Sequence, residues 1–311
     1  MRPLRGIAFK LVSVIVFITM AALIKATAAH VPAGEAVFFR SLFAMPVIVV
    51  WLALRRELST GLRAAHPIGH VWRGLVGTMA MGLGFAGLGY LPLPEVTAIG
   101  YAAPLLTVIF AAMFLGEEVR AFRISAVVLG LVGVLIVLSP RMTVVSADEL
   151  GSGLGEAATL GAVLVLGGAV FAALAQVFVR KLVLTESTPA IVFYFSLTAT
   201  VLSLATLPFG WVIPAPREAA LLVAAGLLGG LGQIFLTSSY READASVVAP
   251  FDYASMIFAL GIGYFVFDEV PSLTMLGGAA LVVTAGILII WREHKLGLER
   301  ARQSKAMTPQ G

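Results

Sequence analysis

Ten stretches of mainly apolar sequence, most of them about twenty residues long and separated by short polar turns, follow one another along this chain. No other feature limits its fold so tightly. A hydrocarbon layer of ~30 Å is crossed by about 20 residues of α-helix. Inside it each backbone N–H and C=O must be paired within the protein, which for runs of this length means helices. The runs fall at 6–28, 35–54, 70–90, 95–115, 122–139, 157–180, 188–208, 218–239, 244–267 and 271–291. The expected fold class is therefore an all-α membrane protein of ten transmembrane helices. Charged residues make up 12% of the chain and the mean hydropathy is +0.99. An ordinary soluble domain, about 25% charged, is excluded.

The basic residues orient the bundle. With the N-terminus inside, the inside segments hold sixteen Lys and Arg and the outside loops only Arg141 and Arg217, while Lys10, Lys25 and Arg40 fall within spans. Cytoplasmic loops carry this excess, so both termini are expected in the cytoplasm, in a bacterial inner membrane. The positive net charge thus reads as topology control and not as a nucleic-acid surface. Arg2, Arg5 and the apolar stretch 11–24 imitate a signal peptide, but Lys25 interrupts the approach to a cleavage site and nine spans follow, so a first helix is expected.

The chain repeats itself. Gly116-Glu117-Glu118-Val119 after the fourth run matches Phe267-Asp268-Glu269-Val270 after the ninth at a shift of 151, which also pairs Ala98 with Ala249 and Ala103 with Ala254. A shift of 155 pairs Phe38-Phe39-Arg40-Ser41 with Phe193-Tyr194-Phe195-Ser196, and Lys25 with Arg180. Five spans per repeat is an odd number, so the second repeat must enter the membrane upside down. Inverted repeats are a recurring plan of secondary transporters, whose substrate sites lie near the midplane between the halves.

On these marks, with the Gly/Ala-rich helices 126–138 and 277–290, the chain resembles the ten-helix EamA-type members of the drug/metabolite transporter superfamily. Within it, the likeness runs towards bacterial exporters of amino acids, aromatic ones included. The resemblance implies a first EamA-type repeat over 1–142, an outside linker over 143–156, an inverted second repeat over 157–291 and a cytoplasmic basic tail over 292–311. It implies a monomer in the lipid bilayer that moves a small-molecule substrate by alternating access, without cofactor, metal or nucleic acid. Arg40 faces Phe195 in the repeat alignment, so the halves are not chemically symmetric.

Other motifs exclude more than they assign. Gly82-Leu83-Gly84-Phe85-Ala86-Gly87 spells a dinucleotide fingerprint, yet it lies inside an apolar span with no strand before it. Its glycines read as helix contacts, like those at 226–232. No catalytic constellation appears, and the four histidines are too scattered for a metal site. The acidic pairs Glu117/Glu118 and Asp268/Glu269 sit at span ends, as interface anchors or as latches closing opposite ends of a path.

Polar residues within spans are costly in lipid and point to a bundle interior. Asp252 leads, two residues after the helix-breaking Pro250. It is a candidate for binding a substrate ammonium or carrying a proton. Gln176, and Gln233 with Thr237 one turn on, follow. Ser13 and Phe17 share a helix face with Met20, Thr78 and Met81 one with Phe85, and Thr97 and Tyr101 one with Pro104. Phe171 and Tyr253 complete the expected substrate-binding cavity, whose mixed aromatic and hydroxyl lining suits a neutral or zwitterionic organic molecule. The expected function is a transporter of small metabolites, amino-acid export foremost and a drug or nucleotide-sugar carrier the alternative. An ion channel would want a filter motif and a membrane enzyme a reactive cluster, and neither is evident.

Overall fold

A computed structural model describes residues 3–115, 121–142, 154–183, 185–242, 249–288 and 291. Among these the chain is helical, with no strand. Its long elements are α1 (Pro3–Lys25), α2 (Ala33–Leu54), α3 (Pro67–Leu88), α4 in two pieces (Leu93–Gly100 and Ala102–Leu115), α5 (Ala121–Met142), α6 (Leu154–Leu182), α7 (Thr188–Leu204), α8 (Pro216–Glu242), α9 (Ala254–Phe267) and α10 (Leu273–Leu288). They fall on the ten apolar runs in order. By length and composition, α1, α2, α3, α6 and α8 are long enough to cross a membrane, while α7, α9, α10 and the apolar core of α5 are shorter.

Local chemistry sets the ends. Prolines open the first turns of α3, α4 and α7, where the missing N–H would have had no helical partner anyway. Ser187 caps α7 by accepting the Ala190 N–H at 3.3 Å. Asp268 closes α9 in the left-handed region, φ 55°, and Pro271 follows. The fourth run, expected as one helix, breaks at Tyr101. Pro104 has no N–H for the Gly100 carbonyl, and its ring crowds that turn.

The packing obeys a two-fold exchange of halves. α1 lies chiefly on α8 and α6 on α3; α2 meets α8 as α7 meets α3; α2 meets α7, and the first piece of α4 meets α9. Exchanging first and second halves turns the first four of these pairings into one another and leaves α2–α7 and α4–α9 as they are. α5 and α10 touch backbone to backbone, where a Cβ on Gly278 would stand 2.7 Å from the Gly133 carbonyl oxygen. Small residues permit such approaches where lipid supplies no hydrophobic drive between helices. The fold is an all-α membrane protein of ten helices in two inverted five-helix repeats.

Two large apolar clusters, one around Phe85, Leu93 and Ala259 and one around Ala98, Tyr101 and Val282, and a smaller one of Ile48, Leu52 and Val192 fill the interior. Outside, Val50, Val128, Val163, Val201, Ile257 and Phe265 are exposed around the bundle. An apolar belt this broad is a surface for hydrocarbon, not for water.

Candidate functional site

The breaks in α4 and α9 face each other. α9 is preceded by a 3-10 turn, Ala249–Tyr253, and the repeat shift of 151 sets Asp252 in that turn opposite Tyr101 of the α4 break. The Tyr101 and Tyr253 rings meet edge to face with centroids 5.0 Å apart. The Tyr101 hydroxyl stands 2.6 Å from Ser255 Oγ and 3.3 Å from the Tyr253 carbonyl oxygen. Ser255 Oγ donates to the Asp252 carbonyl at 2.7 Å, so the hydrogen between the two hydroxyls comes from Tyr101. Each repeat thus presents its interrupted backbone to the other, as transporter sites do.

α1 is tied to this region at both ends. Lys10 Nζ lies 2.7 Å from Asp252 Oδ1; the lysine is 1% exposed and the carboxylate side 44%. Fifteen residues on, Lys25 Nζ lies 2.9 Å from Glu269 Oε1 and donates to the Leu88 and Leu91 carbonyls at 3.3 and 2.7 Å. Glu269 Oε2 accepts the Leu93 N–H at 2.9 Å. Glu269 is therefore a latch joining α1, α9 and the α3–α4 connection. Its repeat counterparts, Glu117 and Glu118, lie outside the described residues.

Between these ends the expected lining divides. Phe17, Met81 and Phe85 come together in one apolar cluster with Met20, and Tyr101 and Tyr253 belong to the second. Phe17 packs on Gly232, next to the partly buried Gln233. A Cβ on Gly82 or Gly84 would meet nothing within 4 Å, so these two glycines leave space open beside Met81 and Phe85. The hydroxyls, however, turn to their own helices. Ser13 donates to Lys10, Thr78 to Gly74, Thr97 to Leu93 and Thr237 to Gln233 carbonyls, all at 2.7 to 2.8 Å. Phe171 is partly buried and Gln176 exposed on α6.

Several participants escape a reading of the sequence. Lys10 and Lys25 look like residues that reach for the interfaces, yet both end on acids that flank α9. Arg40, within the second run, has Glu35 five residues before it as a candidate partner. Instead Glu35 accepts the Val212 N–H at 3.1 Å, and the Arg40 guanidinium lies 5.5 Å from the Phe195 ring centroid. Arg73, counted with the inside loops, lies within α3 and sits 4.0 Å from the same centroid. The signal available was the alignment of Arg40 with Phe195. At the N-terminal end of α1, Arg5, Phe9, Trp51, Arg55, Phe235 and Glu242 border a cleft of about 350 Å³.

A ten-helix bundle of inverted repeats, with broken helices meeting at its centre, defines a polytopic membrane transporter. The chain belongs to the EamA-like transporter family, which matches residues 4–139 and 159–291. It is 30% identical over 285 residues to the pseudopaline exporter CntI of Pseudomonas aeruginosa strain UCBPP-PA14, covering 91% of this chain and 95% of that one. It is 28% identical over 271 residues to the S-adenosylmethionine uptake transporter of Rickettsia felis, covering 87% of each. A solved crystal structure aligns over 94% of this chain and 98% of its own with a TM-score of 0.64 at 20% identity, a likeness of fold alone. These relatives are named as transporters of small molecules and not as enzymes.

Proposed function

We propose that the chain exports amino acids or close derivatives across the bacterial inner membrane as a monomer, by alternating access, with both termini in the cytoplasm. One observation carries the mechanism: α1 is held to α9 by separate ion pairs, Lys10–Asp252 and Lys25–Glu269. Both helices bear on the facing breaks of α4 and α9. Parting α1 from α9 at one end leaves the pair at the other in place, so the two ends open in turn. Asp252 is the group that exchanges partners. Its half-exposed carboxylate releases Lys10 and takes the ammonium of the substrate, while Phe17, Met81 and Phe85 hold the apolar part. The relatives are named for export and for uptake alike, so the direction rests on the sequence resemblance to amino-acid exporters. S-adenosylmethionine ends in a methionine zwitterion, which supports the substrate class.

Counterflow in proteoliposomes with a panel of amino acids, S-adenosylmethionine, nucleotide sugars and cationic drugs tests this. Amino acids or S-adenosylmethionine should exchange. Exchange confined to nucleotide sugars or drugs would place the chain in another branch of the family, and exchange of nothing would remove the reading.

A further inference from the structure

Among the described residues, the buried side-chain nitrogen and oxygen atoms without a hydrogen-bond partner belong to Arg40, Ser41, His70, Arg73 and Ser196. All five lie on α2, α3 and α7, in one corner of the bundle. Arg40 is 3% exposed and Ser41 and Ser196 are 0% exposed. Nε and Nη1 of both arginines are buried and unpartnered. Both guanidinium groups lie over one ring, Phe195, and among the described residues no carboxylate pairs with either. His70 Nε2 stands 3.4 Å from Glu186 Oε2, without hydrogen-bonding geometry. Glycines make the room: a Cβ on Gly229 would stand 2.8 Å from Arg40 Nε, and one on Gly77 2.8 Å from the Phe195 ring.

Burying one unpaired cation inside a membrane bundle is expensive, and two that repel each other are worse. A ring face returns only part of that loss. A bound anion removes it, and the unpartnered donors supply the hydrogen bonds. Ser41 and Ser196, next in sequence to Arg40 and Phe195, hold symmetry-related positions in the repeat. The corner is not remote from the path, because a Cβ on Gly229 would also stand 3.2 Å from Sδ of Met20. Met20 packs in one cluster with Phe17, Met81 and Phe85.

We propose that Arg40 and Arg73, set around Phe195, form a binding site for a carboxylate of the transported metabolite. The inference rests on the transport reading above and narrows it. Lys10, the partner of Asp252, and Met20, the neighbour of Arg40, are ten residues apart on α1, about 15 Å of helix. A simple amino acid is too short to place its ammonium on Asp252 and its carboxylate here at the same moment. The molecule that fills both sites is elongated, with amine and carboxylate well separated.

The test uses the full chain in detergent, with thermal unfolding as the readout, and S-adenosylmethionine, succinate, L-amino acids and the corresponding amides as probes. A ligand that binds the folded state raises the melting temperature by mass action. At least one carboxylate should do so and its amide should not. Arg73→Gln and Arg40→Gln should weaken that carboxylate at least tenfold. Without ligand they should melt no lower than wild type, because each removes a charged group whose Nε and Nη1 are buried without a partner. Variants that melt far lower would show that the arginines are structural and overturn the site. Should both variants fail to fold, phenylglyoxal labelling of the wild type decides. The stabilising carboxylate should protect Arg40 and Arg73, and no protection would sink the proposal. Acid and amide acting alike, or sodium chloride giving the full shift, would overturn it too. Counterflow that treats acid and amide alike would leave transport standing and remove this inference; a wild type that neither exchanges nor binds any of the probes would remove both.

Discussion

At its C-terminal end α1 is held by a cluster: Lys25 reaches Glu269 and two carbonyls, Glu269 also takes a backbone N–H, and the Phe267 ring lies 5.6 Å from the ammonium. Near its N-terminal end Lys10 meets Asp252, whose side chain is 44% exposed. Both are Lys–acid pairs of similar length between the same two helices. The difference lies in what else each acid does. Glu269, 14% exposed, has given both oxygens to the protein. Asp252 has a face left for another cation. In the proposed mechanism one pair seals and the other exchanges, and that division of labour can be tested by taking each apart.

The largest effect is expected at the seal. Glu269→Ala removes the acceptor shared by α1, α9 and α4, and a hydrogen bond to a charged group contributes on the order of 2 kcal/mol. The chain has no cysteine, so Val96→Cys can report access without background. Labelling of that cysteine by a membrane-impermeant maleimide, applied from the side of the Lys25 end, should rise about tenfold, the equivalent of 1.4 kcal/mol. Labelling unchanged from wild type would show that the seal lies elsewhere.

Asp252→Asn comes next. It keeps shape and hydrogen bonding but gives up the charge. Zwitterion affinity in counterflow should fall about tenfold, with maleimide labelling as in the parent. Equal labelling by Glu269→Ala and Asp252→Asn would erase the distinction between the ends. If Asp252→Asn instead spares affinity and abolishes the pH dependence of concentrative uptake, the carboxyl carries a proton and not the ammonium. The smallest effect is expected midway. Tyr101→Phe removes the hydroxyl that joins the α4 break to Ser255, a loss of about 1 kcal/mol in unfolding, with labelling unaltered. A Tyr101→Phe variant more open than Glu269→Ala would move the seal to the centre.

The helices were legible because a membrane demands long apolar runs, and the repeat because its acidic turns recur at a fixed spacing. Asp252 stood out because an acid within an apolar run is costly in lipid, whether it serves the broken backbone or a substrate. Its partner did not, since the helix that α1 lies against is decided by tertiary packing and leaves no trace within α1. Thr78, Thr97 and Thr237 show the same limit: a helical threonine can bond across to a neighbour or back to its own turn, and here all three turn back. Pro104 was noticed as lining, but that it breaks α4 depended on what Tyr101 could bond to. Arg73 was assigned to a loop because a lone arginine near a span end reads as topology, and only the fold brings it to the ring that Arg40 shares.

The exchange of partners between repeats also bears on how the protein is made. α1 is synthesised before its main contact, α8, and before both acids that fix its lysines, which belong to the second repeat. During synthesis α1 must wait in the bilayer, with Lys10 buried in no finished structure, until more than two hundred further residues have followed. Neither half can mature alone. A gene divided between the repeats would yield two fragments that are degraded when made separately and persist when made together.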